Sequence, residues 1–301
     1  MKTDRLTLPN CIIGGAAKSG TTSLHDYIAT HPDVCASKKK ELHFFDTDSR
    51  YEKGLSHYAS YFSHYNGQSA VVETSPAYIH GRYIAERIYG DLPGVKIIFI
   101  FRDPVSRAYS SYWHGYRAGR PMGSFRETVD EPSNRHIFEG GRYWKYLEDY
   151  IEVFGMDRIH CLLTEQLKGE PQRVMSSVFR FLGVDDSFEV PILGQSKNTH
   201  WMPRSMALQR LYYKRVIGIE KKQNQWKYDD GGRLEMRKTE HSFPLVRRGI
   251  GWAIRRFNTK PAKYPPMKEE DAELVRRMYV EDNERFAELT GLDIYRWWKY
   301  A

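Results

Sequence analysis

The sequence predicts an α/β fold in which a central parallel sheet is flanked by helices. Three observations carry that prediction. Apolar runs alternate with helix-period segments from about residue 10 to 183, the order expected of βα units. The first run, Asn10–Gly15, opens into a glycine-rich turn whose Gly15 and Gly20 keep the G-x-x-x-x-G spacing of a phosphate cradle. The run Val95–Phe101 (VKIIFIF) is apolar nearly throughout, as in a strand covered on both faces. The sheet expected is therefore P-loop-type.

The elements follow in order. The helix after the turn spans about Thr21–Thr30 and is ended by His31-Pro32, because a residue before proline avoids helical dihedrals. Val71-Val72 reads as a short strand leading into Glu73-Thr74-Ser75-Pro76, with a helix near Gly81–Tyr89. After VKIIFIF, Asp103-Pro104 supplies an N-cap acid and an N1 proline for the next helix. Tyr143–Phe154 is a long amphipathic helix, Ile159–Leu163 a strand, and Arg173–Leu182 a helix closed by Gly183. Residues 184–200 are irregular, and Glu269–Leu289 is a final helix with apolar positions at Leu274, Val275, Met278, Phe286 and Leu289.

With 301 residues, 41% hydrophobic and 14% aromatic, the chain can bury a large core, which excludes wholesale disorder. We expect a single domain over 1–301, with its core in 10–183 and 258–298. Residues 201–257 form a basic, helical or irregular insertion, or an acceptor-side lid; 201–260 hold 15 Lys/Arg against 5 Asp/Glu. The net charge of +8 suggests an anionic partner without naming it. Cys11, Cys35 and Cys161 each sit in or beside an apolar stretch and read as buried, reduced thiols. The polar start MKTDRLTLPN and the lack of a transmembrane-length apolar run lead us to expect a cytoplasmic protein with no integral membrane segment.

Two motifs carry chemistry. In a nucleoside-triphosphate cradle, Lys and then Ser/Thr follow the last glycine; here those positions are Thr21 and Thr22, and the lysine lies inside the loop at Lys18. The turn still offers backbone N–H groups and a helix N-terminus to an anion. Lys18 is placed to reach a bridging oxygen of a diphosphate-like group, and no convincing acid is present for a metal, because Asp103 is better used as a cap. Arg102, at the end of VKIIFIF, stands where open α/β sheets bind ligands. Ser106 and Ser110, four residues apart, share a face of the following helix, equipment suited to a phosphate dianion.

Together these motifs resemble the 3′-phosphoadenosine 5′-phosphosulfate (PAPS)-dependent sulfotransferases, especially the Golgi glycosaminoglycan sulfotransferases and their bacterial relatives. The resemblance covers about 10–183 and 258–298 and is weakest across 201–257. It implies that Lys18, Ser19, Gly20, Thr21, Thr22 and Ser23 bind the 5′-phosphosulfate, and that Arg102 and Ser110 bind the 3′-phosphate. It implies no metal. In KKELHFFD (Lys39–Asp46) it makes Glu41 the catalytic base with His43 beside it, and Asp46 a residue of the acceptor site. If that stretch is extended, Glu41, His43 and Phe45 share one face. The alternative is that Glu41 merely pairs with Lys39 or Lys40. Thr74 lies in the stretch beneath the transferred group, where some glycosaminoglycan enzymes carry a lysine; its threonine puts a heparan-like acceptor in doubt. Arg142 and Tyr143 fall where members place cofactor or acceptor contacts. Lys260 and Lys263, with YPPM, resemble the loop that closes over adenosine 3′,5′-bisphosphate (PAP).

The expected activity is direct in-line transfer of a sulfuryl group from PAPS to a hydroxyl, or an amine, on a glycan or glycolipid, with a lipid or small-metabolite hydroxyl as the alternative. A variant P-loop kinase would need Mg²⁺. A nucleic-acid or acidic-surface binder would rest on Lys221-Lys222, Arg247-Arg248 and Arg255-Arg256, and a nucleic-acid partner is not expected. A homo-oligomer stays open. The resemblance fits a bacterial cytoplasmic enzyme, or a Golgi-lumenal one only if a membrane anchor has been removed.

Overall fold

Five parallel strands in the order β2–β3–β1–β4–β5 make the central sheet: β1 (Cys11–Gly15), β2 (Val34–Ala36), β3 (Ala70–Thr74), β4 (Lys96–Phe101) and β5 (Ile159–Leu163). The computed structural model describes residues 6–194, 201–214, 225–228, 234–237, 254 and 256–301. Side chains of the central strands divide between two cores by their two-residue period. Ile12, Ile97, Phe99 and Phe101 face one core; Cys11, Ile13, Ile98 and Ile100 face the other. The apolar run at 95–101 is needed because both faces are covered.

Helices α2 (Arg82–Asp91) and α4 (Tyr143–Phe154) cover the first face, through Ile84, Ile88, Leu147 and Tyr150. Helices α1 (Thr21–Ile28) and α5 (Pro171–Leu182) cover the second, through Leu24, Ile28, Val178 and Phe179. A third apolar cluster joins α3 (Pro104–Ala118) to α6 (Glu269–Arg276) through Val105, Ala108, Ala272 and Val275. Cys11, Cys35 and Cys161 are free and buried.

β1 lies between β3 and β4, so the connections leaving it and its neighbours diverge at one edge of the sheet, a topological switch point. The turn after β1, the end of β3 and the end of β4 all reach that edge. Backbone bonds join them there: Ala16 N–H to Ile100 O at 2.8 Å, Ser75 N–H to Ile13 O at 3.1 Å, and Glu41 N–H to Thr74 O at 2.9 Å.

Three local expectations are corrected. Helix α1 ends at Ile28, short of Thr30. The expected helix over Glu269–Leu289 is two, α6 and α7 (Val280–Thr290). The break falls at Arg277–Tyr279: Tyr279 leaves helical dihedrals at φ −116° and ψ 1°, its ring is fully buried, and its hydroxyl donates to Phe138 O at 2.7 Å. The KKELHFFD stretch is not extended: Glu41 and His43 have φ of 62° and 51°. Those left-handed turns bury Phe44 and Phe45 in the core, so Phe45 does not share the face of Glu41.

Segment 201–257 enters and leaves the fold at one place. β6 (Trp201–Pro203) pairs antiparallel with β9 (Thr259–Pro261), and inside the segment β7 (Gln225–Tyr228) pairs with β8 (Leu234–Arg237). The basic runs Lys221-Lys222 and Arg247-Arg248, and Arg255, lie outside the described residues.

Candidate active site

The turn from β1 into α1 is shaped by its glycines. Gly20 caps α1 at φ 92°, where a side chain is strained, and a Cβ on Gly15 would come within 2.9 Å of Ile79. Lys18 is also left-handed, at φ 73°. The Thr164 hydroxyl lies 2.5 Å from Ser19 O and 2.8 Å from Phe101 O, tying the turn to the end of β4. The first amides of α1 thereby point out of the sheet edge with Thr21, Thr22 and Ser23 around them.

The second motif begins as the sequence requires. Asp103 accepts from Ser106 N–H at 2.9 Å with Pro104 in the first turn, and its other oxygen accepts from Tyr300 N–H at 3.0 Å. Arg102 is held against the cradle: its Nη1 lies 3.5 Å from Lys18 O, and the Tyr143 hydroxyl donates to Arg102 O at 2.8 Å. Ser106, Ser110, Trp113 and Arg117 follow at steps of four, three and four residues, one face of α3.

These elements concentrate positive charge. Burial, followed by Arg117, Arg102 and Arg107, lowers the Lys18 ammonium to about 8. Burial also lowers Arg117 and Lys168. Among the described residues, Arg102 Nε is buried without a hydrogen-bond partner. Clustered cations and a spare donor are suited to a multiply charged anion, and a nucleotide bearing a diphosphate-like group and a further phosphate fits them.

Across the same edge, Glu41 and His43 stand on the left-handed turn. His43 Nε2 lies 3.4 Å from Glu41 Oε2, and His43 Nδ1 lies 2.8 Å from Asp46 Oδ2. The His43 contact, outweighing burial and helped by Lys40, lowers the Glu41 carboxyl to about 2. Lys40 also touches Glu41, at 3.4 Å, so the pairing alternative for Glu41 exists beside the His43 contact. Beneath the turn lies Glu73, fully buried, accepting from Tyr58 at 2.5 Å, Ser75 at 2.5 Å and Tyr78 at 2.9 Å. Ser75 Oγ accepts from His43 N–H at 3.1 Å, and Tyr78 Oη from Phe44 N–H at 2.8 Å. Burial, against those three donors, raises Glu73 to about 7.

The residues expected at the acceptor and over PAP have the following surroundings. Asp46 is 1% exposed and stands behind His43. Thr74 is fully buried, its hydroxyl 2.8 Å from His25 Nδ1, because alternation along β3 turns it inward. Arg142 is spent on an ion pair with Asp282. Tyr143 is 1% exposed and orients Arg102 from below. Lys260 and Lys263 are both exposed, and the segment carrying them lies along α3: Tyr264 stacks on Trp113 at 5.5 Å, and the Tyr109 hydroxyl donates to Pro265 O at 2.9 Å.

Sequence reasoning passed over Arg117 and Thr164, and it named Lys40 only as a pairing partner of Glu41 and Glu73 only as part of the stretch after Val71-Val72. The four-three-four spacing on α3 was the available signal for Arg117. Nothing local marks Thr164, which meets the turn only through the tertiary fold.

The family model described as the sulfotransferase domain matches residues 8–199. Heparan sulfate glucosamine 3-O-sulfotransferase 5 of Mus musculus is 30% identical over 187 residues, covering 59% of this chain and 54% of that protein. A bifunctional heparan sulfate N-deacetylase/N-sulfotransferase 1 of Caenorhabditis briggsae is 27% identical over 223 residues, covering 66% of this chain and 26% of that one. The chain thus spans about half the length of the first relative and about a quarter of the second. A sulfotransferase crystal structure from Alicyclobacillus acidocaldarius superposes with a TM-score of 0.64 at 24% identity, over 97% of this chain and 99% of that one, a likeness of fold. Among the described residues, no helix is long and apolar enough to cross a membrane.

Proposed function

This chain belongs to the sulfotransferase domain family, and from that premise we propose that it moves a sulfuryl group from PAPS to an acceptor hydroxyl, or an amine, on a carbohydrate or glycolipid. The observation that carries the proposal is the pairing of the cation-lined cradle around Lys18 with the Glu41–His43–Asp46 chain on one sheet edge. The names of the curated relatives support the carbohydrate acceptor.

In this reading Lys18 and the first amides of α1 hold the 5′ side of the nucleotide, and Arg102 with Ser110 holds the 3′-phosphate. Lys18 opposes the charge that grows on the departing phosphate oxygen, which is where a preformed cation lowers a barrier most. Glu41 takes the acceptor's proton. Held well below the usual carboxyl range by His43, it is already a carboxylate at neutral pH, and it need not be a strong base, because an attacking hydroxyl becomes acidic as its oxygen bonds to sulfur. Asp46 fixes the His43 ring, which in turn fixes Glu41. Lys260 and Lys263 lie on the segment beside α3 from which a nucleotide bound along Ser110 would be covered.

The test is transfer from radiolabelled PAPS to a panel of glycans, glycolipids, lipid alcohols and small hydroxyl compounds, with and without EDTA. Label transfer that survives EDTA is the expected result. PAPS-independent, Mg²⁺-dependent phosphoryl transfer from ATP would replace this reading with a kinase.

A further inference from the structure

A lysine that the two motifs do not contain stands between them. Lys40 Nζ donates to Thr22 Oγ1 at 2.8 Å and lies 3.4 Å from Glu41 Oε1. Thr22 is in the first turn of α1, among the residues of the cradle, and Glu41 is the base of the proposed reaction. The Lys40 side chain is 21% exposed, so it lines the site without being sealed in it. Its neighbour in sequence, Glu41, is in the left-handed region, and that turn sends Lys40 and Glu41 to the same side.

The position has a consequence for in-line transfer. The group transferred must leave the cradle and arrive at an acceptor within reach of Glu41. A cation held by one cradle hydroxyl and by the base carboxylate lies along that route. β3 offers no cation there: Thr74 is buried and turned to His25.

We propose that Lys40 is a catalytic residue that binds the sulfuryl oxygens during transfer, as distinct from Lys18, which serves the leaving phosphate; this rests on the sulfotransferase reading above. In the step, a bond forms between the acceptor oxygen and sulfur as the bond from sulfur to the bridging phosphate oxygen breaks. The electron pair of the broken bond stays on that phosphate oxygen, and the acceptor's proton passes to Glu41. Lys40 gives up its bond to Thr22 and donates to the sulfuryl oxygens, whose charge it balances throughout. No oxidant or metal enters the balance.

Of the two nucleotides only PAPS carries the sulfuryl group that Lys40 would bind, so Lys40 should distinguish PAPS from PAP. The experiment measures binding of PAPS and of PAP by calorimetry in EDTA, and PAPS breakdown to PAP and sulfate with water as acceptor, for the wild type, Lys40→Met and Lys40→Arg. Loss of one charge-assisted contact predicts PAPS affinity lower by about 10-fold in Lys40→Met, PAP affinity within about 2-fold, and breakdown slower by about 100-fold. Lys40→Arg should recover much of both losses. Equal loss of PAPS and PAP affinity, or no loss of either, would overturn the role of Lys40. A wild-type protein that binds neither nucleotide would overturn the sulfotransferase reading itself, a separate outcome.

Discussion

The Glu41 carboxylate lies 3.4 Å from His43 Nε2, while Asp46 holds the other ring nitrogen at 2.8 Å. A buried acid thus sets the ring, the ring sets the half-exposed carboxylate, and the carboxylate faces the cradle. Glu41→Gln keeps the shape and removes the proton acceptor. Transfer should fall by about 10²- to 10⁴-fold with PAP affinity nearly unchanged. Wild-type turnover in Glu41→Gln would remove Glu41 as the base.

Lys18 links pH to nucleotide binding. With its ammonium lowered to about 8, it is charged below that pH in the free protein and neutral above it. PAP affinity should therefore hold up to about pH 8 and then decline, by up to about 10-fold per pH unit. Lys18→Met should bind weakly and without that decline, and should transfer about 10²- to 10³-fold more slowly. A titration of Kd against pH that shows the same slope in both proteins would place the titrating group elsewhere.

Glu73 links pH to stability with the opposite sense from an ordinary surface acid. Its carboxyl is raised from 4.5 to about 7 in the fold, chiefly by burial. The stability it contributes is present below its unfolded value and is lost as pH rises through about 7. The loss amounts to about 3 kcal/mol at most. Urea midpoints between pH 4 and 8 should show the wild type losing stability relative to Glu73→Gln over that range. A pH-independent difference between the two would mean that Glu73 is already ionised throughout.

Asp103 joins two distant parts of the chain, capping α3 and accepting from Tyr300 N–H. Asp103→Ala should cost about 1–2 kcal/mol for the cap alone, read as a lowered thermal midpoint. Because Arg102 precedes the cap, PAP affinity should fall as well. Unchanged affinity in a destabilised variant would show that Arg102 is held by Tyr143 and not by the cap.

The sheet was legible because burial on both faces leaves a simple mark, and VKIIFIF carries it. The glycine turn after β1 was legible because Gly15 and Gly20 lie within six residues of one another, a spacing readable without the tertiary fold. Helix α4 and strand β5 have the predicted bounds. The break at Tyr279 was not legible, since an aromatic at a helix-compatible position reads the same whether it packs within a helix or leaves it to reach Phe138 O. The surroundings of the expected acceptor-side residues were not legible for a related reason. Asp46, Thr74 and Arg142 are polar residues in a motif, and polarity alone does not say whether a side chain faces a substrate or a buried partner such as His43, His25 or Asp282.

By itself the sequence determined the α/β order, and it suggested an anion cradle with a displaced lysine and a second motif of Arg102 and Ser110, because each depends on residues close together in the chain. Tertiary structure decided what those pieces do together. It brought Arg117 and Thr164 to the cradle, set Glu41 and His43 on left-handed backbone over the Glu73 hub, and placed Lys40 between Thr22 and Glu41. The physical reason is that a charge acts over a few ångströms of space whatever the separation in sequence. Only the packing of β1 between β3 and β4 brings those charges to one edge.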